Sequence, residues 1–357
     1  MKKILPLFLL AGSLVAADKP NVILINADDL GYGDLGCYGA TKVNTPNVDR
    51  LAKEGMSFTD AHSASAVCSP SRYGLLTGQY PIRKNFWGPT PLTQELTIDL
   101  KQPTLANVLK SAGYATSIIG KWHLGNRDEF YPTRRGFDYF YGLRSGSRSY
   151  FYHDKKDDKP GNAKAIEENG KKVEFDGYLT DVFGQKAIDF VNLQDDKPFF
   201  LYHSFTAPHG PMHATEEDKA LFASIENQKR RAYAAMVWAM DRAIGKLVDS
   251  LKASGQFENT LIWFLSDNGG ATGNASVNLP LAGHKGIKFE GGTRVPFFAH
   301  WPKQFKKPKN FDPMMISLDI MPTSLSAAGA KEEDLNNLDG VNLLPFIRGE
   351  KAKPPHQ

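Results

Sequence analysis

Four short apolar runs, each ending abruptly at polar residues, restrict the fold of this chain more than any other feature of its sequence. The runs lie at 21–26, 114–119, 199–203 and 261–265. Continuous apolar stretches of this length are typical of strands that are buried on both faces of a sheet. Helical periodicity occurs between them, and its clearest apolar stripe lies at 231–254. This alternation predicts an α/β fold, with a mixed, mostly parallel central sheet sandwiched by helices.

Side chains suited to chemistry follow all four runs. They are Asp28 and Asp29 after the first run, Lys121 and His123 after the second, His209 after the third, and Asp267 and Asn268 after the fourth. Ligands of open α/β sheets bind outside the carboxyl ends of the strands, so we expect these residues to meet there. Oxygen is the only ligand atom offered by Asp28, Asp29, Asp267 and Asn268, and no Cys or His cluster has zinc-like spacing. We therefore predict that these four residues hold one calcium ion, magnesium being less favoured by so dense a set of carboxylates.

The first 17 residues predict export. Lys2 and Lys3 precede a short apolar run that ends in small residues, which is the pattern of a cleavable signal peptide. The run is shorter than the roughly 20 residues of a membrane span. We expect cleavage near Ala17, a periplasmic or secreted protein and no stable membrane association. Cleavage lowers the formal net charge from +4 to +2, because both lysines are removed. So small an excess of positive charge predicts no nucleic-acid partner.

The stretch 66–78 carries the densest set of reactive groups in the chain. It reads Ala-Val-Cys-Ser-Pro-Ser-Arg-Tyr-Gly-Leu-Leu-Thr-Gly, and it places the thiol of Cys68 close to the guanidinium of Arg72. Taken alone, Cys68 could be a small buried apolar residue, or it could form a disulfide with Cys37, the only other cysteine. Taken whole, the stretch resembles the maturation signature of the type I sulfatases, Cys-x-Pro-Ser-Arg followed by Leu-Leu-Thr-Gly.

Three further segments carry this resemblance. Residues 113–123 match the second sulfatase signature, His209 has the Ala-Pro-His-x-Pro setting found in the family, and 285–296 match a Lys-Gly-x-x-x-Glu-Gly-Gly-x-Arg-x-Pro block. The resemblance covers residues 20 to about 350. It implies an alkaline phosphatase-like fold and a sulfatase catalytic domain at 18–350. Family members usually continue into a small C-terminal domain, so we expect 351–357 to begin a linker toward a domain that is missing or truncated here.

The resemblance also implies a chemistry: hydrolysis of sulfate monoesters through a covalent sulfo-enzyme intermediate. In the family, a maturation enzyme oxidises the signature cysteine to formylglycine (3-oxoalanine), and the hydrated aldehyde is the nucleophile. The implied nucleophile is therefore derived from Cys68, which excludes a disulfide to Cys37. The roles implied for the other residues are orientation of the diol by Arg72, sulfate binding by Lys121 and Lys285, base catalysis by His123 and acid catalysis by His209.

The sequence does not identify the substrate. The sequence is similar to arylsulfatases and N-acetylgalactosamine-6-sulfatases, which predicts a sulfated small molecule or glycan, best a sugar from an algal or animal polysaccharide. One alternative is a formylglycine-dependent phosphodiesterase or phosphonate hydrolase. A second is a non-catalytic protein that binds calcium and sulfated glycans, which would predict a damaged signature. The polar and aromatic stretch 127–177 predicts loops at the pocket wall. Arg144, Arg148 and His153 there either contact a sugar or a second sulfate, or form a solvated loop surface, which is the favoured alternative.

Overall fold

Parallel strands form the centre of the structure, a computed structural model that describes residues 19–88, 100–151, 155–158, 163–194, 197–306, 309–330 and 336–356. The predicted signal peptide (1–17) lies outside the described residues. The strands are β1 (Asn21–Ala27), β2 (Met56–Phe58), β3 (Ala61–His62), β4 (Ala115–Lys121), β5 (Tyr139–Leu143), β6 (Glu167–Glu168), β7 (Lys171–Lys172), β8 (Phe199–Ser204), β9 (Thr260–Ser266), β10 (Phe297–His300), β11 (Lys309–Phe311) and β12 (Met315–Ile316).

Ten of the strands in the described residues form one sheet, in the order β11-β2-β10-β9-β1-β8-β4-β5-β6-β7. The five central strands, from β9 to β5, are all parallel. Antiparallel pairs flank them, β10 with β9 on one side and β6 with β5 on the other. The prediction of a mixed, mostly parallel sheet is confirmed. Because β9, β1, β8 and β4 are neighbours and run in one direction, the four predicted strand ends lie along the same edge.

Helices cover both faces of this sheet. They are α1 (Pro46–Glu54), α2 (Cys68–Thr77), α3 (Leu105–Ser111), α4 (Leu179–Asn192), α5 (Glu216–Ala220), α6 (Gln228–Ala253), α7 (Glu290–Thr293), α8 (Ile320–Ala327) and α9 (Leu344–Ile347). Side chains of β1 alternate between the two faces, with Ile23 and Ile25 in the core under α1, α4 and α6, and Leu24 in the core under α2, α3 and α8. The apolar runs are thus strands buried on both sides, as predicted. No helix among the described residues combines the length and apolar character needed to cross a bilayer.

The stretch 127–177 differs from its prediction. Its residues 139–143 form β5, a buried strand that pairs in parallel with β4, and β6 and β7 extend the sheet beyond it. The strand pattern of β5 is not obvious in the sequence, because the backbones of β5, β4 and β8 approach too closely for side chains at two positions. A Cβ added at Gly142 would lie 1.8 Å from the Gly120 carbonyl oxygen, and one added at Gly120 would lie 1.8 Å from that of Ser204. Glycine is therefore required inside these strands, where it normally weakens a strand prediction.

Candidate active site

The thiol of Cys68 lies at the start of α2, directly outside the sheet edge. Cys68 is the first helical residue after Val67, whose backbone is extended, and Pro70 supports the helix start because its fixed φ suits the first turn. All ten residues of α2 are buried, and Cys68 itself is 2% exposed. Cys37 is exposed and both cysteines are free, so the disulfide alternative is wrong for this structure.

Carboxylates from two neighbouring strand ends surround this thiol. Asp28 follows β1 and Asp267 follows β9, and both are fully buried. One oxygen of each and the Cys68 sulfur lie within 4.8 Å of one another. The strand register explains the proximity, since Ala27 and Ser266, the residues before the two aspartates, are paired in the parallel ladder.

The guanidinium of Arg72 holds Asp267 in place. Its Nε and one terminal nitrogen lie 2.9 and 2.8 Å from Asp267 Oδ2, and its other terminal nitrogen donates to Ser204 Oγ at 2.6 Å. Burial would lower the pKa of Arg72, but the negative charges of Asp267 and Asp28 raise it above its ordinary value. Burial raises the pKa of Asp267 despite this partner. The observed contacts of Arg72 are thus to the carboxylate cluster, and its predicted role toward residue 68 stays a prediction.

Two cations lie beside Asp28. A terminal nitrogen of Arg72 lies 3.6 Å from Asp28 Oδ1. The Lys121 ammonium, at the end of β4, lies 2.7 Å from Asp28 Oδ2, and both side chains are fully buried. Burial would raise the pKa of Asp28, but Lys121, His209 and Arg72 together lower it below its ordinary value. The carboxylate is therefore kept ionised in the protein interior, as a cation site requires.

Asp29 connects the remaining predicted residues. The Lys285 ammonium lies 2.7 and 2.9 Å from its two oxygens, the Asn268 amide donates to Oδ1 at 2.8 Å, and His209 Nε2 lies 3.6 Å from Oδ2. Asp29 has a left-handed backbone, with φ of 64°. Non-glycine residues rarely adopt it, and such strain clusters at functional sites. The Asn274 amide, 3.2 Å from Oδ2, is a neighbour that the sequence did not reveal, because it sits in a short polar turn without a motif.

The two histidines are held by different means. His209 is partly exposed, and its Nδ1 lies 2.7 Å from the Gly210 carbonyl oxygen. Since a carbonyl only accepts, Nδ1 carries a hydrogen and Nε2 is left facing Asp29. His123 has a left-handed backbone, with a φ of 54°, so the extended backbone of β4, which ends at Lys121, does not continue through it. Its ring lies over Gly146, where an added Cβ would be 2.7 Å from Cε1 and Nε2.

The oxygen atoms that these residues offer as ligands fit a hard cation. Asp28 Oδ1 and Asn268 Oδ1 are buried, and neither receives a hydrogen bond from any residue that the structure describes. Buried acceptors without donors are costly, and coordination to calcium satisfies such oxygens. Three carboxylates, from Asp28, Asp29 and Asp267, converge with these oxygens. The predicted ligands are thus brought together, and calcium at this place stays a prediction.

The arginines of the 127–177 stretch are engaged by the protein itself. Arg144 lies 3.1 Å from a Glu167 oxygen, and Arg148 is 2% exposed and donates to the Ser149 carbonyl oxygen at 3.0 Å. A solvated surface does not describe them, and these contacts do not point to a sugar. His153 lies outside the described residues.

Known proteins are similar to this chain in sequence and in structure. A family model described as Sulfatase matches residues 20–330. N-acetylgalactosamine-6-sulfatase of Canis lupus familiaris is 35% identical over 370 residues, which cover 95% of this chain and 68% of that protein. Arylsulfatase G of Rattus norvegicus is 32% identical over 380 residues, covering 96% and 71%. The crystal structure of Ps i-CgsB in complex with k-i-k-neocarrahexaose has a TM-score of 0.90 and 41% identity, covering 95% of this chain and 78% of that one.

Proposed function

The chain belongs to the sulfatase family of sulfuric ester hydrolases, and from this premise we propose that it removes sulfate from a sulfated sugar with a formylglycine derived from Cys68 as its nucleophile. The proposal includes one calcium ion and a separate maturation enzyme that oxidises Cys68. It also includes export to the periplasm or the medium, which rests on residues 1–17 alone.

The observation that carries the proposal is the position of Cys68. Its sulfur lies against Asp28 and Asp267, and burial together with these carboxylates raises the pKa of the thiol, although Lys121 and Lys285 oppose them. Without a metal cation beside it, the thiol is thus disfavoured as a thiolate, which is the reactive form of cysteine. The matching maturation signature supports formylglycine.

The surrounding residues suit a sulfate ester. Hydrated formylglycine would supply two hydroxyls on one carbon, one to displace the alcohol from sulfur and one whose deprotonation releases sulfate and restores the aldehyde. Calcium held by Asp28, Asp29, Asp267 and Asn268 would supply Lewis-acid stabilisation of the negative charge. The ammonium groups of Lys121 and Lys285, which contact the carboxylates directly, neutralise charge on the substrate sulfate.

Two histidines divide the proton transfers. His209, partly exposed at the edge of the cluster, protonates the oxygen of the departing alcohol. His123 accepts the proton from the second hydroxyl. The partly exposed position of His209 suits contact with the alcohol, which varies between substrates. His123 is only 7% exposed, which suits a step that is the same for every substrate.

Sulfated sugars are the proposed substrate class. A relative at 35% identity is named an N-acetylgalactosamine-6-sulfatase, and a structure at 41% identity was determined in complex with k-i-k-neocarrahexaose. The test is release of free sulfate from a panel of sulfated oligosaccharides and from 4-nitrophenyl sulfate, after co-expression with a maturation enzyme. Faster hydrolysis of bis(4-nitrophenyl) phosphate would favour the phosphodiesterase alternative. Binding of sulfated sugars by the matured protein with no release of sulfate would favour the non-catalytic alternative.

Replacement of His209 by alanine is expected to lower kcat about 10²- to 10⁴-fold on sugar sulfates, because these need a proton on the leaving oxygen. The loss on 4-nitrophenyl sulfate should be much smaller, since nitrophenolate leaves without protonation. Steady-state kinetics on both substrates check this. His62→Ala, which removes a histidine paired with Asp60, is the control and should leave both rates unchanged. Equal losses on the two substrates in the His209 variant would contradict the role of acid.

Replacement of Gly146 by alanine is expected to lower kcat roughly 10- to 100-fold, because the new methyl group displaces the His123 ring. Gly146 has no left-handed backbone, so the change adds no backbone strain. Gly273→Ala is the matched control, since a Cβ there meets no atom within 4 Å. Kinetics and thermal unfolding are measured together. If both variants lost activity and both were destabilised to the same extent, the result would argue against the positioning of His123 by Gly146.

A further inference from the structure

An open cavity of about 470 Å³ lies beside the active site. One wall comes from residues 64–67, which lead into Cys68, and another from Gly286 and Lys288, which follow Lys285. The Gly286 backbone N–H donates to the Ala66 carbonyl oxygen at 2.8 Å, so the two walls are tied together. The cavity wall therefore includes the chain neighbours of Cys68 and of Lys285, the lysine proposed to bind sulfate.

The third wall is apolar and aromatic. It includes Tyr80, Ile82 and Trp87, which are 38%, 51% and 64% exposed. Residues 80–87, which form this wall, are anchored to α2, because the Phe86 ring packs edge-on against the Tyr73 ring with centroids 6.1 Å apart. Large apolar side chains left exposed around a concave site indicate a ligand surface. Aromatic rings of this kind offer a flat apolar face with a polar edge, which matches the C–H face of a sugar ring.

The charge of the cavity matches an anionic sugar. Lys288 is exposed at its rim, and none of the described residues that line it is acidic. A sulfated or carboxylated sugar ring would place its apolar face on Trp87 and its negative group near Lys288. A neutral apolar ligand would make no use of that charge. Residues directly beside Cys68 and Lys285 in the chain line the cavity, so a sugar linked to the one at the reaction centre could reach it.

We propose that this cavity binds a second sugar ring of the substrate, next to the ring that carries the scissile sulfate ester. The inference rests on the proposed sulfatase function and makes the enzyme selective for oligosaccharides over monosaccharides. Trp87 supplies the stacking surface and Lys288 the charge.

The test is binding, measured by isothermal titration calorimetry, in the full chain carrying Cys68→Ala, so that no turnover or maturation is needed. The probes are neocarrahexaose and neocarrabiose, the two-sugar member of the same series. Addition of Trp87→Ala should weaken hexasaccharide binding about 10-fold or more, and should weaken disaccharide binding less. Addition of Lys288→Ala should weaken hexasaccharide binding mainly at low salt. Leu193→Ala, which removes an apolar side chain that is 77% exposed at the end of α4, is the matched control and should change neither.

The outcomes separate the two proposals. Equal affinity of the parent and the Trp87→Ala protein for the hexasaccharide overturns the cavity assignment, and so does a parent that binds neither probe. Loss of binding in Trp87→Ala with an unchanged thermal unfolding temperature supports it. Failure of the matured wild-type enzyme to release sulfate from any substrate defeats the proposed function instead, and that assay is independent of the calorimetry.

Discussion

Cys68→Ala is expected to abolish sulfate release, with a fall of about 10⁴-fold or more in kcat, because the reacting group itself is removed. Alanine is smaller than cysteine by one sulfur, and the carboxylates around it keep their cations. Folding should therefore be little affected, and calcium binding should be partly retained. The measurement is sulfate release together with the intact mass of the protein. Active wild-type enzyme should show the mass of formylglycine at position 68.

Cys37→Ala is the matched control for this variant. Cys37 is exposed and lies in a short turn at 36–38, away from the carboxylate cluster. The change should leave both the rate and the modification of residue 68 intact. Full activity in Cys68→Ala, or a free thiol at position 68 in fully active wild-type protein, would eliminate the covalent mechanism.

Asp28→Asn is expected to remove the response of the protein to calcium and to lower kcat about 10³-fold. In the wild type, calcium at 100 times its dissociation constant should raise the free energy of unfolding by about 2.7 kcal/mol, and a chelator should reverse this. Asparagine cannot supply the charge that balances the cation, and it leaves Lys121 buried without its carboxylate partner. Thermal unfolding with and without calcium measures the effect without relying on activity.

Asp34→Asn separates this loss from general destabilisation. Asp34 is also fully buried and paired, with Arg230 at 2.6 Å and the Tyr233 hydroxyl at 2.7 Å, but it is not in the carboxylate cluster. Its replacement should lower stability and keep the calcium response. Loss of the response in both variants, or in neither, would show that Asp28 is not a calcium ligand.

The sheet and its reactive edge could be predicted because both depend on local patterns. Continuous apolar runs identify strands buried on two faces, and a parallel sheet brings the ends of such strands together. This reasoning groups Asp28, Asp267 and Lys121, and the structure places their side chains close together at the ends of β1, β9 and β4. The ends of helices also depend on nearby residues in the chain. Thr104 caps α3 through a hydrogen bond with Asn107, and Gly255 follows α6 with a positive φ.

Other features depend on tertiary contacts that leave no local pattern. Strand β5 contains Gly142 because the neighbouring backbone is too close for a side chain, and this requirement is invisible without the partner strand. The left-handed backbones of Asp29 and His123 are not indicated by the residues around them in the sequence. Asn274 reaches Asp29 from a turn 245 residues along the chain. The order of the strands likewise could not be read from the chain.

The enclosure of α2 has a consequence for biosynthesis. An enzyme that oxidises Cys68 must reach the thiol and the residues around it, yet the folded protein buries all ten residues of this helix. The proposed modification would therefore have to precede the burial of α2 against the sheet. On this proposal, chains that fold first would stay in the unmodified form. The active fraction of any preparation is then set by a competition between two rates in the producing cell, and later addition of the oxidising enzyme cannot correct it.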